Sequence, residues 1–350
     1  MSETPSSTIS EDYYYRSAAE IPINELFEST VLTDATNYNR LYDCLQRWLK
    51  ETNFTNMKER NIQFDFYQNC MKAYNSDIGH MLKYTSDYHG TVFKKLFREL
   101  IPDFCIIDYY NSHLKSSSSH LDLEYLPLHI VSILKIKRNM KEKDIGQLLR
   151  YLRVVLRYSP KSRTYIMGAI TDFQTIRYGK VSRLKNGRGF MYQASLVLPG
   201  QSEAEFLLKY LTKFLTMNFS QFGHNRLEPL PSYIRIHDKL LGIGANAMTF
   251  NCSTVNGDRC EYALKISNAS VDKEEAIYKK LYKSEFDIVK VHEYALLFRH
   301  PPGSIISKVN LFENIRTLWK QIKEAHRNNI LHRDIRKANV LEIWNNETNR

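Results

Sequence analysis

No two cysteines of this chain form a Cys-x-x-Cys pair, and the five present, Cys44, Cys70, Cys105, Cys252 and Cys260, are odd in number. Such spacing gives no disulfide framework and predicts ordinary reduced thiols in an intracellular protein. A run of about eighteen apolar residues is also missing, so no membrane span and no membrane partner are expected. The first thirty residues lack a basic start and an apolar core, and Ser10-Glu11-Asp12 is acidic. That excludes a signal peptide and points to the cytoplasm or nucleus. No internal repeat is found, and no block of one charge sign sits in a tail.

Apolar content is ample. At 350 residues with 43% apolar side chains, the chain is long enough for two modest domains, each with its own core. Lys and Arg number 49 against 38 Asp and Glu, a net charge of +11. This excess suits nucleic acid, phosphate or acidic partners, and equally a plain solvated basic surface.

Residues 1–20, rich in Ser, Thr and Glu, are expected to be disordered. Helical patterns cover about 35–60 and 64–100, with Leu41, Leu45, Trp48 and Leu49 on one face and Phe93, Leu96, Phe97 and Leu100 on another. Ile101–Ile107 and His129–Lys137 read as strands around a loop holding Ser116 to Ser119. A helix follows, striped by Ile145, Leu148, Leu149, Leu152, Val155 and Leu156. Thr164–Thr171 and Phe173–Val181 read as strands, and 203–217 as a helix. The two prolines of Glu228-Pro229-Leu230-Pro231-Ser232 mark the best linker. The expected organisation is an extension over 1–59, a mixed-sheet domain over 60–227 and a further domain over 233–350, in an α+β or α/β class.

The last domain carries the motifs. Gly242-Ile243-Gly244-Ala245-Asn246-Ala247 is a glycine-rich turn, and glycines let backbone approach phosphates closely. Tyr262-Ala263-Leu264-Lys265-Ile266 is an apolar strand carrying a lysine. Val271 to Leu281 places Glu274 on the face of Ile277, Tyr278 and Leu281, with Glu275 as the alternative inward acid. Ile288–Val291 and Tyr294–Phe298 read as strands, and Ile305-Ile306 leads to a helix, Leu311 to His326. Then comes His332-Arg333-Asp334-Ile335-Arg336-Lys337-Ala338-Asn339. Taken singly, each has an ordinary explanation: a turn, a surface lysine, a solvated helix glutamate. In this order they resemble the protein kinase superfamily, more narrowly the fungal-type protein kinases, from Leu240 onward.

The resemblance implies an amino-terminal kinase lobe followed by a catalytic loop. Gly242 and Gly244 would cover the phosphates of ATP, Ala263 would line the adenine pocket, and Lys265, paired with Glu274, would anchor the phosphates. Asp334 would accept the substrate hydroxyl proton, Arg336 would present charge to the transferred phosphoryl group, and Asn339 would hold Mg²⁺. Ala247 replaces the third glycine, and Arg336 stands where a lysine is usual, with a less compact fork. No Asp-Phe-Gly follows Asn339 in these residues, so the carboxy-terminal lobe is expected to be missing. The expected protein is thus either truncated or a degenerate kinase kept for binding.

In the middle region, Pro102-Asp103, then Lys135-Ile136-Lys137, then a helix with Gln147 and Tyr151, resembles the PD-(D/E)XK nuclease superfamily. The combination resembles Crinkler-type proteins. In that superfamily an aspartate and a second carboxylate hold Mg²⁺. Here Asp103 fits the first slot and Lys137 the last, but Lys135 fills the carboxylate slot, and cations there repel a divalent metal. Asp122 or Glu124 could substitute. Gln147 and Tyr151, with Arg150, Arg153 and Arg157 nearby, match a Q-x-x-x-Y helix and equally a plain amphipathic helix. Lys137, Arg138, Lys141, Lys143 and Arg150 form a basic patch for nucleic acid. The leading expectation is ATP-dependent phosphorylation of protein Ser or Thr if the full gene supplies the missing lobe. The rivals are a non-catalytic nucleic-acid- or protein-binding module and a nuclease using Asp103 and Lys137.

Overall fold

A computed structural model describes residues 11–26, 35–71, 75, 80–84, 91–97, 101–108, 123, 125–185, 187, 189–199, 204–255, 262–282, 288–299, 304–305, 311–330 and 341–342. The chain divides into two units, one of Met1–Lys115 with Glu124–Pro229, the other of Ser116–Leu123 with Leu230–Arg350. The class is mixed α and β.

The first unit begins with α1 (Glu11–Arg16), β1 (Ala18–Ile21) and α2 (Ile23–Leu26), followed by α3 (Ala35–Glu51) and α4 (Glu59–Phe66), which runs into a π-helical turn at Tyr67–Met71. Then come β2 (His80–Tyr84), α5 (Thr91–Phe97), β3 (Phe104–Asp108), β4 (Ile130–Ile136) and α6 (Ile145–Tyr158). β5 (Tyr165–Thr171), β6 (Thr175–Arg183), β7 (Phe190–Ser195), β8 (Leu198–Pro199) and α7 (Ala204–Thr216) complete it. The sheet runs β1-β7-β6-β5-β4-β3-β2, with β8 also on β6. β1 with β7 and β4 with β5 are parallel, and the other pairs are antiparallel.

Helix α6 connects the parallel pair and buries Leu148, Leu149, Leu152, Val155 and Leu156 completely. Two glycines in register, Gly168 of β5 and Gly179 of β6, make its seat. A Cβ on Gly168 would meet Leu152 at 2.9 Å and Leu148 at 3.0 Å, and one on Gly179 would meet Leu149 at 3.0 Å. Close packing of this kind leaves no room for a methyl on either strand.

The amino-terminal residues differ from the sequence expectation. Residues 11–21 are helix and strand, built into the unit by long-range contacts that composition does not report. Tyr14 is buried and packs edge-on against Tyr192, with ring centroids 5.4 Å apart. Arg177 donates to Glu20 at 2.7 Å. A Cβ on Gly146 would lie 2.2 Å from Glu11 O, so α1 rests directly on the start of α6. Helix α3 is likewise part of the core: Leu41, Leu45 and Trp48 join it with Phe66, Phe104 and Phe214. The stretch 64–100 is not helical throughout, because β2 pairs with β3 and buries Leu82 and Tyr84 on alternate positions. The Asn75 side chain bonds both the N–H and the C=O of Leu82, at 2.7 and 3.1 Å, as a neighbouring strand would.

After α7 the chain turns back and inserts His224, which is 3% exposed, beside Asp108 at the end of β3. Its Nε2 lies 3.9 Å from Asp108 Oδ2, and Arg226 Nε is 3.7 Å from the same oxygen. Burial lowers the imidazole pKa to about 4, with Asp108 raising it and Arg163 and Arg226 lowering it further. The folded state therefore binds fewer protons than the unfolded state between the ordinary histidine value and about 4. Stability contributed by neutral His224 is complete above about pH 6.5 and is lost as pH falls towards 4, by roughly 3 kcal/mol. His224→Gln should flatten the fall in urea-unfolding free energy between pH 6.5 and 4; identical slopes in both proteins would refute this.

The second unit contains β9 (Ile234–Ile243), β10 (Ala247–Thr254), β11 (Tyr262–Ser267), α8 (Asp272–Tyr282), β12 (Ile288–His292) and β13 (Ala295–Phe298). β14 (Ser304–Ile305), α9 (Leu311–Arg327) and β15 (Leu341–Glu342) follow. Its antiparallel sheet runs β12-β13-β11-β10-β9. One face is buried through Met248, Phe250, Cys252, Leu264 and Ile266. β14 and β15 pair antiparallel, Ile305 opposite Leu341. On α9, Phe312, Ile315 and Trp319 are exposed, Leu318 and Ile322 are half-buried, and Ala325 near its end is buried.

Candidate functional site

Alternation along β10 and β11 sets the first geometry. Thr249 stands opposite Lys265 and Asn251 opposite Ala263, so these four side chains share the face opposite the buried one. Helix α8 presents Glu274 to this face, and Lys265 Nζ forms a hydrogen-bonded ion pair with Glu274 Oε1. Both side chains stay about a quarter exposed, at 26% and 29%, so the pair is reachable from solvent. The alternative acid, Glu275, pairs with Lys279 one turn on, at 2.8 Å. Ala263 is buried.

The helix is held where it starts. Asp272 pairs with Lys290 of β12, which lowers the carboxyl pKa, and it also accepts from Ser270 Oγ at 2.6 Å. An acidic residue in the first turn is favourable with the helix dipole as well. Val271 N–H donates to Glu293 O at 2.9 Å.

The glycine-rich turn joins β9 and β10. Gly242 lies near the end of β9 opposite Thr249, and Gly244 N–H donates to Ala247 O at 2.8 Å. Asn268, just past β11, donates from its backbone to Asn246 O at 2.9 Å, fixing the turn to the strand that carries Lys265. Neither Gly242 nor Gly244 has a positive φ. A Cβ on Gly242 would meet nothing within 4 Å. Neither backbone conformation nor packing requires glycine at 242, and the space above it is open to a ligand. Sequence reading missed Asn246, Asn268 and the Asp272–Lys290 pair; Ser270-x-Asp272 ahead of an apolar run was the available signal.

Asp334, Arg336 and Asn339 lie outside the described residues, as do Asp122, Glu124 and Cys260. The described cysteines are unpaired thiols, and burial pushes Cys105 and Cys252 up to about 12, which makes them poor nucleophiles.

A second charged constellation lies in the first unit. Asp103, at the start of β3, accepts from Lys135 Nζ at 2.9 Å and from Ile136 N–H at 2.9 Å. Both residues are buried, at 7% and 5% exposure. Burial raises the Asp103 pKa, while the ammonium and the backbone N–H pull it down. Lys135 thus occupies the cation position beside Asp103 that a metal would need. Among the described residues no three His, Cys, Asp or Glu side chains group to hold a metal ion. Lys137 is half-buried, and its backbone N–H donates to Thr171 O at 2.9 Å.

The Q-x-x-x-Y pair turns inward. Gln147 and Tyr151 are buried, and Tyr151 packs edge-on to Phe97 and donates to Ile101 O at 3.4 Å. Arg150 donates to Phe97 O, Arg153 to Tyr14 Oη at 3.0 Å, and Arg157 lies over Tyr158. These arginines serve packing within the unit. Of the remaining patch, Arg138, Lys141 and Lys143 are exposed. Among the described residues no helix is long and apolar enough to cross a membrane. Compared with known proteins, the chain matches no family model and no curated protein.

Proposed function

We propose that the second unit is a nucleotide-binding module of protein kinase type, with Lys265 as the phosphate anchor and Glu274 as the residue that holds it. The contact between Lys265 and Glu274 carries this reading. Three further features support it. The five strands order β9-β10-β11-β13-β12, with α8 inserted between the third and fourth in sequence. The lysine sits on the third strand and its partner on the following helix, the arrangement that positions nucleotide phosphates in kinases. Open space lies above Gly242 in the turn beside Thr249, the cross-strand neighbour of Lys265.

Bound ATP would supply the transferable phosphoryl group. Within the proposal, Lys265 neutralises phosphate charge, Glu274 fixes the direction of its ammonium, and Ala263 leaves room for the base. Phosphorylation of a protein Ser or Thr hydroxyl would need Asp334 as proton acceptor, Arg336 facing the phosphoryl group and Asn339 as a Mg²⁺ ligand. The nuclease-like likeness of the first unit, in the order Asp103, Lys135-Ile136-Lys137, Gln147 and Tyr151, is proposed as ancestry of shape without nuclease chemistry. The Asp103–Lys135 pair favours that view, since the aspartate is already neutralised. Exposed Arg138, Lys141 and Lys143 leave nucleic-acid binding as its accessory role.

Thermal unfolding with ATP, with and without Mg²⁺, tests the central claim. ATP at a hundred times its dissociation constant should stabilise the protein by about 2.7 kcal/mol. Lys265→Ala should abolish the shift, and Glu274→Gln should reduce it. A wild-type protein whose melting is indifferent to ATP would end the proposal.

A further inference from the structure

Helix α8 is fastened at three points along its length. Asp272 meets Lys290 at its start, Glu274 meets Lys265 two residues later, and Lys280 Nζ donates to Asn328 O at 2.8 Å near its end. The third tie reaches a different element, the carboxy-terminal end of α9. Asn329 there takes a left-handed φ of 57° and donates to His326 O at 3.0 Å, while Ile330 N–H donates to Ala325 O at 2.8 Å. These bonds close the helix in the usual left-handed cap and satisfy the carbonyls of the preceding turn. Asn328 O is then met by a lysine, the charge that the negative end of a helix favours. Two residues beyond Ile330, the sequence continues as His332-Arg333-Asp334.

We propose that Lys280 is a positioning residue that couples the Lys265–Glu274 pair to the last turn of α9. This inference rests on the nucleotide-binding reading for its purpose, not for its geometry. Glu274 and Lys280 lie on one short helix, so a shift of Glu274 carries Lys280 with it. The cap at Asn328–Ile330 feels that shift through the ammonium. Coupling of this kind is reciprocal: what orders the end of α9 also steadies Glu274.

Hydrogen exchange of residues 324–330 in the full chain reads the coupling, using single and double variants at Glu274 and Lys280. Without nucleotide, Glu274→Gln should reduce protection of this turn about two- to fivefold, as should Lys280→Ala. The double variant should lose no more than either single one, and Lys280→Arg should keep most of the protection. Additive losses in the double variant would overturn the coupling, whether or not the protein binds ATP. With ATP as probe, protection of 324–330 should rise in the wild type and not in Lys280→Ala. ATP-dependent stabilisation without that rise would refute the coupling while leaving the nucleotide-binding reading intact. Absence of any ATP response would count against the nucleotide-binding reading alone, and the variant cycle would still decide the coupling.

Discussion

Lys135→Met should destabilise the first unit by about 3–5 kcal/mol, because it leaves the Asp103 carboxylate buried without its ammonium. The lysine does more than offset a charge. Its Nζ bonds Asp103 Oδ1 while Ile136 N–H bonds Oδ2, so the carboxylate is held from both sides in a setting that already raises its pKa. With the ammonium gone, the aspartate must either stay charged at high desolvation cost or take up a proton. The penalty relative to wild type should therefore shrink as pH falls, since protonation removes the buried charge. Adding Asp103→Asn to Lys135→Met should restore most of the loss, because replacing a buried ion pair as a whole is often nearly neutral. Urea unfolding of the two single variants and the double gives the cycle. A single-variant loss below about 1 kcal/mol would place the pair among exposed, weak ones.

Arg163→Met should cost about 4 kcal/mol, among the largest effects expected of a single substitution. The guanidinium is 97% shielded from solvent and donates to Ile130 O at 2.7 Å, Val131 O at 2.5 Å, Tyr165 O and Phe222 O at 3.3 Å, and Ser159 Oγ at 3.4 Å. Burial, and then the neighbouring Arg183, lower its pKa to about 9, which leaves it charged at neutral pH. All five acceptors are uncharged, so the cation is stabilised by dipoles. One of those acceptors, Ser159 Oγ, sits at the end of α6, where Ser159 N–H and Oγ bond Val155 O and Arg183 donates to Leu156 O and Ser159 O. The negative end of a helix favours both guanidiniums. Methionine fills similar volume and donates nothing, so several buried carbonyls lose their partner at once. A shift in urea midpoint equivalent to less than about 1 kcal/mol would mean that water replaces the arginine easily.

Some of this architecture was legible in the residues. Helix α6 announced itself through a one-sided stripe, and β4 through an apolar run broken only by Ser132 and Lys135, because both signals are local and both elements are buried. The eight residues between Lys265 and Glu274 could be read as strand, turn and helix for the same reason. The amino-terminal helix and strand could not. Their polar composition says nothing of Tyr14 against Tyr192 or Glu20 against Arg177, contacts made by residues far apart in sequence. β2 was hidden inside a helical pattern because pairing with β3 decides its conformation. Lys135 was legible as a misfit in a metal site, but its partnership with Asp103 depends on the antiparallel pairing that brings the start of β3 to the end of β4. Gln147 and Tyr151 could be read as neighbours on one helical face, but their spacing does not show that α6 is buried widely enough to pack both inside along with its aliphatic stripe.

Strand β1 has a consequence for how copies of this protein behave towards one another. It lies parallel to β7 at one margin of the sheet and occupies the hydrogen-bonding groups that β7 would otherwise offer to any passing strand. Uncapped margins of that kind template aggregation. β1 is itself the last strand on that side, but at four residues against six in β7 it offers a shorter template, so losing it would lengthen the open margin.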